Sequence, residues 1–172
     1  MQSFRVIKPT AALVPYVRHY WVLSDDALAP VSERTLPVGC VQMVFHRGRQ
    51  LFSLTEGRLQ PSSFISGQAF GYSDVESTGM LEMIVVVFQP FAAKAFLHMP
   101  VSEFRGMNVN TEETGDPLLV DLGRRIADMP GRVACIRLIE EFLLSRLYAF
   151  PEYNLKRVST VLEAVNLHPH IR

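Results

Sequence analysis

The chain has 172 residues, 48% of them apolar, 10% aromatic and 20% charged, and its 17 Lys+Arg balance 17 Asp+Glu for a formal net charge of zero. That size and composition fit one folded domain, or one with a short appendage, and exclude an intrinsically disordered chain. The charge balance argues against a nucleic-acid binder acting by itself, because neutralising phosphates needs a basic surplus.

The first residues run into Lys8-Pro9 with no apolar leader core, which argues against secretion. The longest uninterrupted apolar stretch is 83–88, far short of the roughly 20 residues a membrane-spanning helix needs. Cys40 and Cys135 each sit among apolar neighbours and are expected to be buried free thiols in a reducing cytoplasm.

Residues 17–23 are rich in β-branched and aromatic side chains and predict a strand closed by Ser24-Asp25-Asp26. A second strand is predicted over 40–46, where Val41, Met43 and Phe45 alternate with Gln42 and His46. Arg47-Gly48-Arg49 reads as a turn, and 50–54 as the returning arm of a hairpin. Short strands follow at 63–68, 72–76 and 82–88, a spacing that means a sandwich or a small barrel. The last of these is apolar on both faces and should be a central strand covered on both sides.

Gln89-Pro90 ends that strand, and 91–97 is compatible with a short helix. Asp116-Pro117 forms an N-cap and first-turn pair for a helix carrying Leu118, Leu122 and Ile126 at helical spacing. Pro130-Gly131 breaks it. A second amphipathic helix is predicted over 133–148, with Val133, Ile136, Ile139, Leu143 and Leu147 on one stripe. The short break suggests an antiparallel helix pair. A third helical pattern starts over 155–167 and stops at His168-Pro169-His170. Strands first and helices after make the expected class α+β.

Chemistry-bearing patterns are sparse. The five histidines are His19, His46, His98, His168 and His170, and none lies in the pair-plus-carboxylate spacing of a barrel metal site. No Gly-x-Ser-x-Gly elbow is present, neither cysteine has a neighbouring His, and Gly67-Gln68-Ala69-Phe70-Gly71 lacks the helix a phosphate loop requires. Neither an enzyme nor a cofactor or metal is expected. The strand aromatics point instead to binding. If the sheet closes, Trp21, Phe45, Phe64 and Phe88 are candidates to line a pocket, with Glu33, Gln42 and Gln68 as its polar members. The competing expectation is that such aromatics only fill the interior.

Pro9, Leu13, Tyr16-Val17, Tyr20-Trp21, Leu36-Pro37-Val38-Gly39, Phe45-His46, Ser66-Gly67-Gln68 and Val87-Phe88-Gln89-Pro90 occur in that order. Ala95-Phe96, Pro100, Glu103-Phe104 and the helix with Glu140-Glu141-Phe142-Leu143 and Leu147 follow. This spread of short signatures resembles the amino-terminal domain of certain AraC-family transcriptional regulators. Val38 stands where that family usually has an acid, and Gln89 where a basic residue is common.

The resemblance implies a cupin-like β-barrel or jelly roll over 1–110 that senses an effector. A helical dimerisation hairpin would occupy 111–150, and 151–172 would be a linker helix toward a helix-turn-helix DNA-binding region. On this expectation the chain is the regulatory half of a longer bacterial regulator, an expressed fragment or a truncated product. It would be a cytoplasmic homodimer holding an unknown small molecule, without a membrane partner, touching DNA only through the region it lacks. Ile136, Leu143 and Leu147 are the candidates for the dimer seam, against an equal expectation that this stripe packs on the protomer's own sheet. Two alternatives are a stand-alone cupin-like metal enzyme and a dimerisation module with a filled barrel and no effector.

Overall fold

The computed structural model describes residues 2–147. In chain order its first strands are β1 (Ser3–Ile7), β2 (Val17–Asp25), β3 (Ser32–Thr35), β4 (Gln42–His46) and β5 (Leu51–Ser53). The rest are β6 (Arg58–Leu59), β7 (Ser63–Ser66), β8 (Ser73–Ser77), β9 (Leu81–Phe88) and β10 (Asn108–Asn110), and helices α1 (Pro117–Asp128) and α2 (Arg132–Leu147) follow. The strands form a six-stranded sheet in the order β1-β2-β9-β4-β7-β10 and a four-stranded sheet in the order β3-β8-β5-β6. Pairing is antiparallel in both. The class is α+β.

The six-stranded sheet is the middle layer. Tyr20, Met43, Phe45, Ile65, Ile84, Val86 and Phe88 point to one side and share a continuous apolar cluster with Leu119, Leu122, Ile126, Ile139 and Leu143 of the helices. Val44, Phe64, Val85 and Val87 point to the other side. There Leu81, Leu23 and Met83 meet Leu51 and Val75 of the four-stranded sheet. β9 pairs with β2 on one edge and β4 on the other, so its unbroken apolar run serves two interiors at once.

The helices are tied down by charge as well as packing. Asp116 caps α1, accepting the Leu118 and Leu119 N–H groups at 3.2 Å each. The same carboxylate takes both arms of the Arg146 guanidinium, at 2.5 and 2.7 Å, while Arg146 also donates to the Phe96 carbonyl. Since Arg146 ends α2 and Asp116 starts α1, the helices run antiparallel. At the opposite end Arg47 donates to the Ile126 and Met129 carbonyls, where α1 ends, and pairs with Glu82 at 2.6 Å.

Several expectations change. Residues 40–46 and 50–54 do not form a hairpin: β4 belongs to the six-stranded sheet and β5 to the other. The 47–49 segment crosses between sheets, its N–H groups donating to the Glu82 and Met80 carbonyls. Gly48 is needed there, because a Cβ would stand 2.5 Å from the Met80 oxygen. The helix expected over 91–97 is a single 3₁₀ turn, Ala92–Ala95, entered through Phe91 in the left-handed region at φ 65°.

Leu119, not Leu118, takes the buried first-turn position of α1, and Val133 of α2 is exposed. Strands β1, β3, β6 and β10 were not expected. β3 reads Ser-Glu-Arg-Thr and is exposed throughout, so no apolar alternation marks it. Cys40 and Cys135 are buried free thiols. The helix expected over 155–167 lies outside the described residues. Among those residues no helix is long and apolar enough to cross a membrane.

Candidate functional site

Between the two sheets lies a cavity of about 430 Å³, within the usual range for small-molecule sites. The six-stranded sheet supplies Trp21, Val44, Phe64 and Val85, and the four-stranded sheet supplies Leu51 and Val75. These are the alternate positions that the strand period turns away from the helices. Polar groups interrupt the apolar wall at Gln42, Gln60, Ser66 and Asn108. The rim carries Leu36, Phe70, Tyr72 and Met107, all large and exposed.

The rim is held by backbone contacts. The Gly67 N–H donates to the Met107 carbonyl at 2.9 Å, and the Gly106 N–H to the Gln68 carbonyl at 3.0 Å. Gly67 lies so close to the 104–107 segment that a Cβ would fall 1.6 Å from the Phe104 oxygen. Farther along the same six-stranded sheet, on β2, Trp21 lies 5.9 Å from the Phe4 ring and stacks on His19 at 5.4 Å.

Behind the wall His46 is almost fully buried, and its Nε2 lies 3.1 Å from Gln60 Oε1. That oxygen can only accept, so Nε2 carries the proton and donates. Burial lowers the His46 pKa to about 4, against a smaller upward pull from Gln60. The imidazole is therefore neutral near pH 7. Burial likewise raises the Cys40 thiol, beside the cavity, above its ordinary value, with Arg18 pulling the other way. Among the described residues no group of three or more His, Cys, Asp or Glu is placed to hold a metal ion.

Of the residues anticipated for a pocket, Trp21, Gln42 and Phe64 come together in this wall. Phe45 and Phe88 sit on the helix side of the same sheet, where Phe88 stacks on Phe96 at 5.6 Å. Strand alternation separates them: Phe45 is one residue out of step with Val44, and Phe88 with Val85 and Val87. Glu33 is exposed on β3 and accepts from the Gln2 side chain, and Gln68 is exposed beyond the rim.

Leu143 is completely buried, Ile136 nearly so, and Leu147 packs partly buried against the same cluster, so the protomer's own core occupies that stripe. The sequence reading missed Gln60 and Asn108. Gln60 follows β6 and Asn108 opens β10, strands too short to show periodicity.

Residues 5–110 match the family described as a domain of unknown function, DUF6597. The chain belongs to the DUF6597 family. The DUF6597 segment contains both sheets, apart from the first two residues of β1, and every residue of the cavity, and it ends before α1. No curated protein matches this chain. Among solved structures, one titled as the crystal structure of Co(II) HppE in complex with Tris buffer is similar over 51% of this chain and 53% of that one. The identity is 10% and the TM-score 0.38. The chain thus spans about half the length of that protein.

Proposed function

We propose that this chain is a small-molecule-binding regulatory domain of the AraC type, with the two sheets as halves of a cupin-like barrel and the inter-sheet cavity as the effector site. One observation carries the reading. The segments of the AraC resemblance lie far apart in sequence, yet Trp21, Leu36-Pro37-Val38 and Ser66-Gly67 converge on the same cavity. Such convergence on an apolar, partly polar hollow suits binding better than turnover, because no nucleophile–base pair accompanies it among the described residues.

Regulation would arise by linkage: an effector shifts the protein only as far as it prefers one arrangement of sheets and helices over another. The shared cluster between the six-stranded sheet and the helices gives such a preference a route to α1 and α2. In this reading the protein works in the cytoplasm as a homodimer and meets DNA through a separate helix-turn-helix region. Sedimentation equilibrium, expected at twice the monomer mass, tests the dimer.

The sequence has one tryptophan, and it lines the cavity. Titrating the chain with a panel of small ring compounds is expected to give saturable Trp21 fluorescence changes for the compounds that bind. Ser66→Phe, which puts a ring into the hollow from β7, is expected to abolish those changes in a folded protein. Binding that survives Ser66→Phe would place the ligand elsewhere and overturn the reading.

A further inference from the structure

The charge inventory of the cavity narrows what it can hold. No Lys, Arg or His lines it among the described residues, and Glu56 is its one charged side chain. Glu56 is already engaged: Oε2 accepts from Arg58 Nε at 2.9 Å and Oε1 from Asn108 Nδ2 at 3.2 Å. The lining itself offers a buried anion no counter-charge, although Arg18 sits beside the Cys40 thiol, and a cation would have to displace Arg58.

Three side-chain amides line the ligand space, and with Asn108 donating to Glu56, Gln42 and Gln60 are left as the two readers. Gln42 makes no side-chain hydrogen bond among the described residues, so both its donor and its acceptor are free. The Gln60 oxygen is occupied by His46, which leaves its NH₂ group as a donor. Trp21 and Phe64 supply flat apolar surface beside these amides.

We infer that the cavity takes an uncharged, ring-bearing molecule with a carboxamide-like or carbonyl group, read by Gln42 and Gln60, and that it rejects carboxylates and ammonium ions of the same shape. This inference rests on the cavity being the ligand site, as proposed above. Calorimetric titration of the chain at pH 7 with naphthamide, naphthoate and naphthylmethylammonium separates the two claims. Naphthamide is expected to bind at least about tenfold more tightly than either charged homologue. Gln42→Arg, which adds a cation to the wall, is expected to transfer the preference to naphthoate. Should Gln42→Arg fail to fold, the near-isosteric Gln42→Leu is expected to lose the preference for naphthamide over unsubstituted naphthalene. Three affinities within twofold of each other, or a charged homologue binding best, would overturn the uncharged class and leave the cavity a binding site. No saturable heat from any of the three would overturn the cavity reading and this inference with it.

Discussion

His46 shows how one side chain couples fold and site. It occupies a cavity-side position on β4 next to the DUF6597 cavity, with Nδ1 buried and unpartnered and Nε2 on Gln60. Its pKa falls from an ordinary value of about 6.5 to about 4 because burial disfavours the cation. The unfolded chain therefore takes up this proton first as pH drops. The stability His46 contributes is complete above pH 6.5 and is lost as pH falls from 6.5 to about 4, a loss on the order of 3 kcal/mol.

His19 has a pKa lowered by partial burial and then by Arg18, and it adds a lesser slope of the same sign. Asp116 acts in another window. Its pKa is lowered chiefly by the Arg146 hydrogen bond, so its contribution is present above the ordinary carboxylate value and disappears only at more acid pH. Urea titrations between pH 7 and 4.5 are expected to show stability falling in the wild type and a much flatter profile for His46→Gln. An unchanged slope in that variant would assign the proton uptake to another group.

At the level of elements, the site depends on a few close approaches of backbone. Gly67 lets the end of β7 lie against the 104–107 segment, and a methyl group there would overlap the Phe104 carbonyl. Gly67→Ala is expected to cost about 1–3 kcal/mol and to loosen the rim, seen as a lower Tm with faster amide exchange at position 67 and Gly106, whose N–H groups bond across it. Normal stability with unchanged protection would show that the two segments separate without penalty.

What the sequence made legible follows the same physics. β9 was readable because its length and double-sided apolar run allow no other placement, and α1 because Asp116-Pro117 marks its start. β3 and β10 were not readable, since their order comes from pairing with distant partners rather than from their own alternation. The expected 40–54 hairpin failed because a Gly-containing turn between two apolar stretches looks the same whether the chain returns to its own sheet or crosses to another. Trp21 and Phe64 were legible as ring-bearing strand positions. Their separation from Phe45 and Phe88 was not, because the strands are apolar on both faces and alternation no longer tells inside from outside.

For the whole molecule, the consequence of a middle sheet buried on both sides is that neighbouring residues on one strand answer to different demands. Ile84 and Val86 pack toward the helices, while Val85 faces the cavity. Stability and ligand affinity should therefore be separable by the parity of the position changed. Ile84→Ala removes fully buried volume on the helix side and is expected to cost about 2–5 kcal/mol. Its affinity for a cavity ligand should stay within about twofold, because sites without shared partners add nearly independently. Ser66→Phe works in reverse, filling the hollow with little change in Tm while removing the binding measured by Trp21 fluorescence. Paired denaturation and titration curves for both variants read the partition directly. Equal loss of affinity in Ile84→Ala would mean that the two interiors are mechanically joined through the sheet, the condition under which an effector between the sheets could reposition α1 and α2.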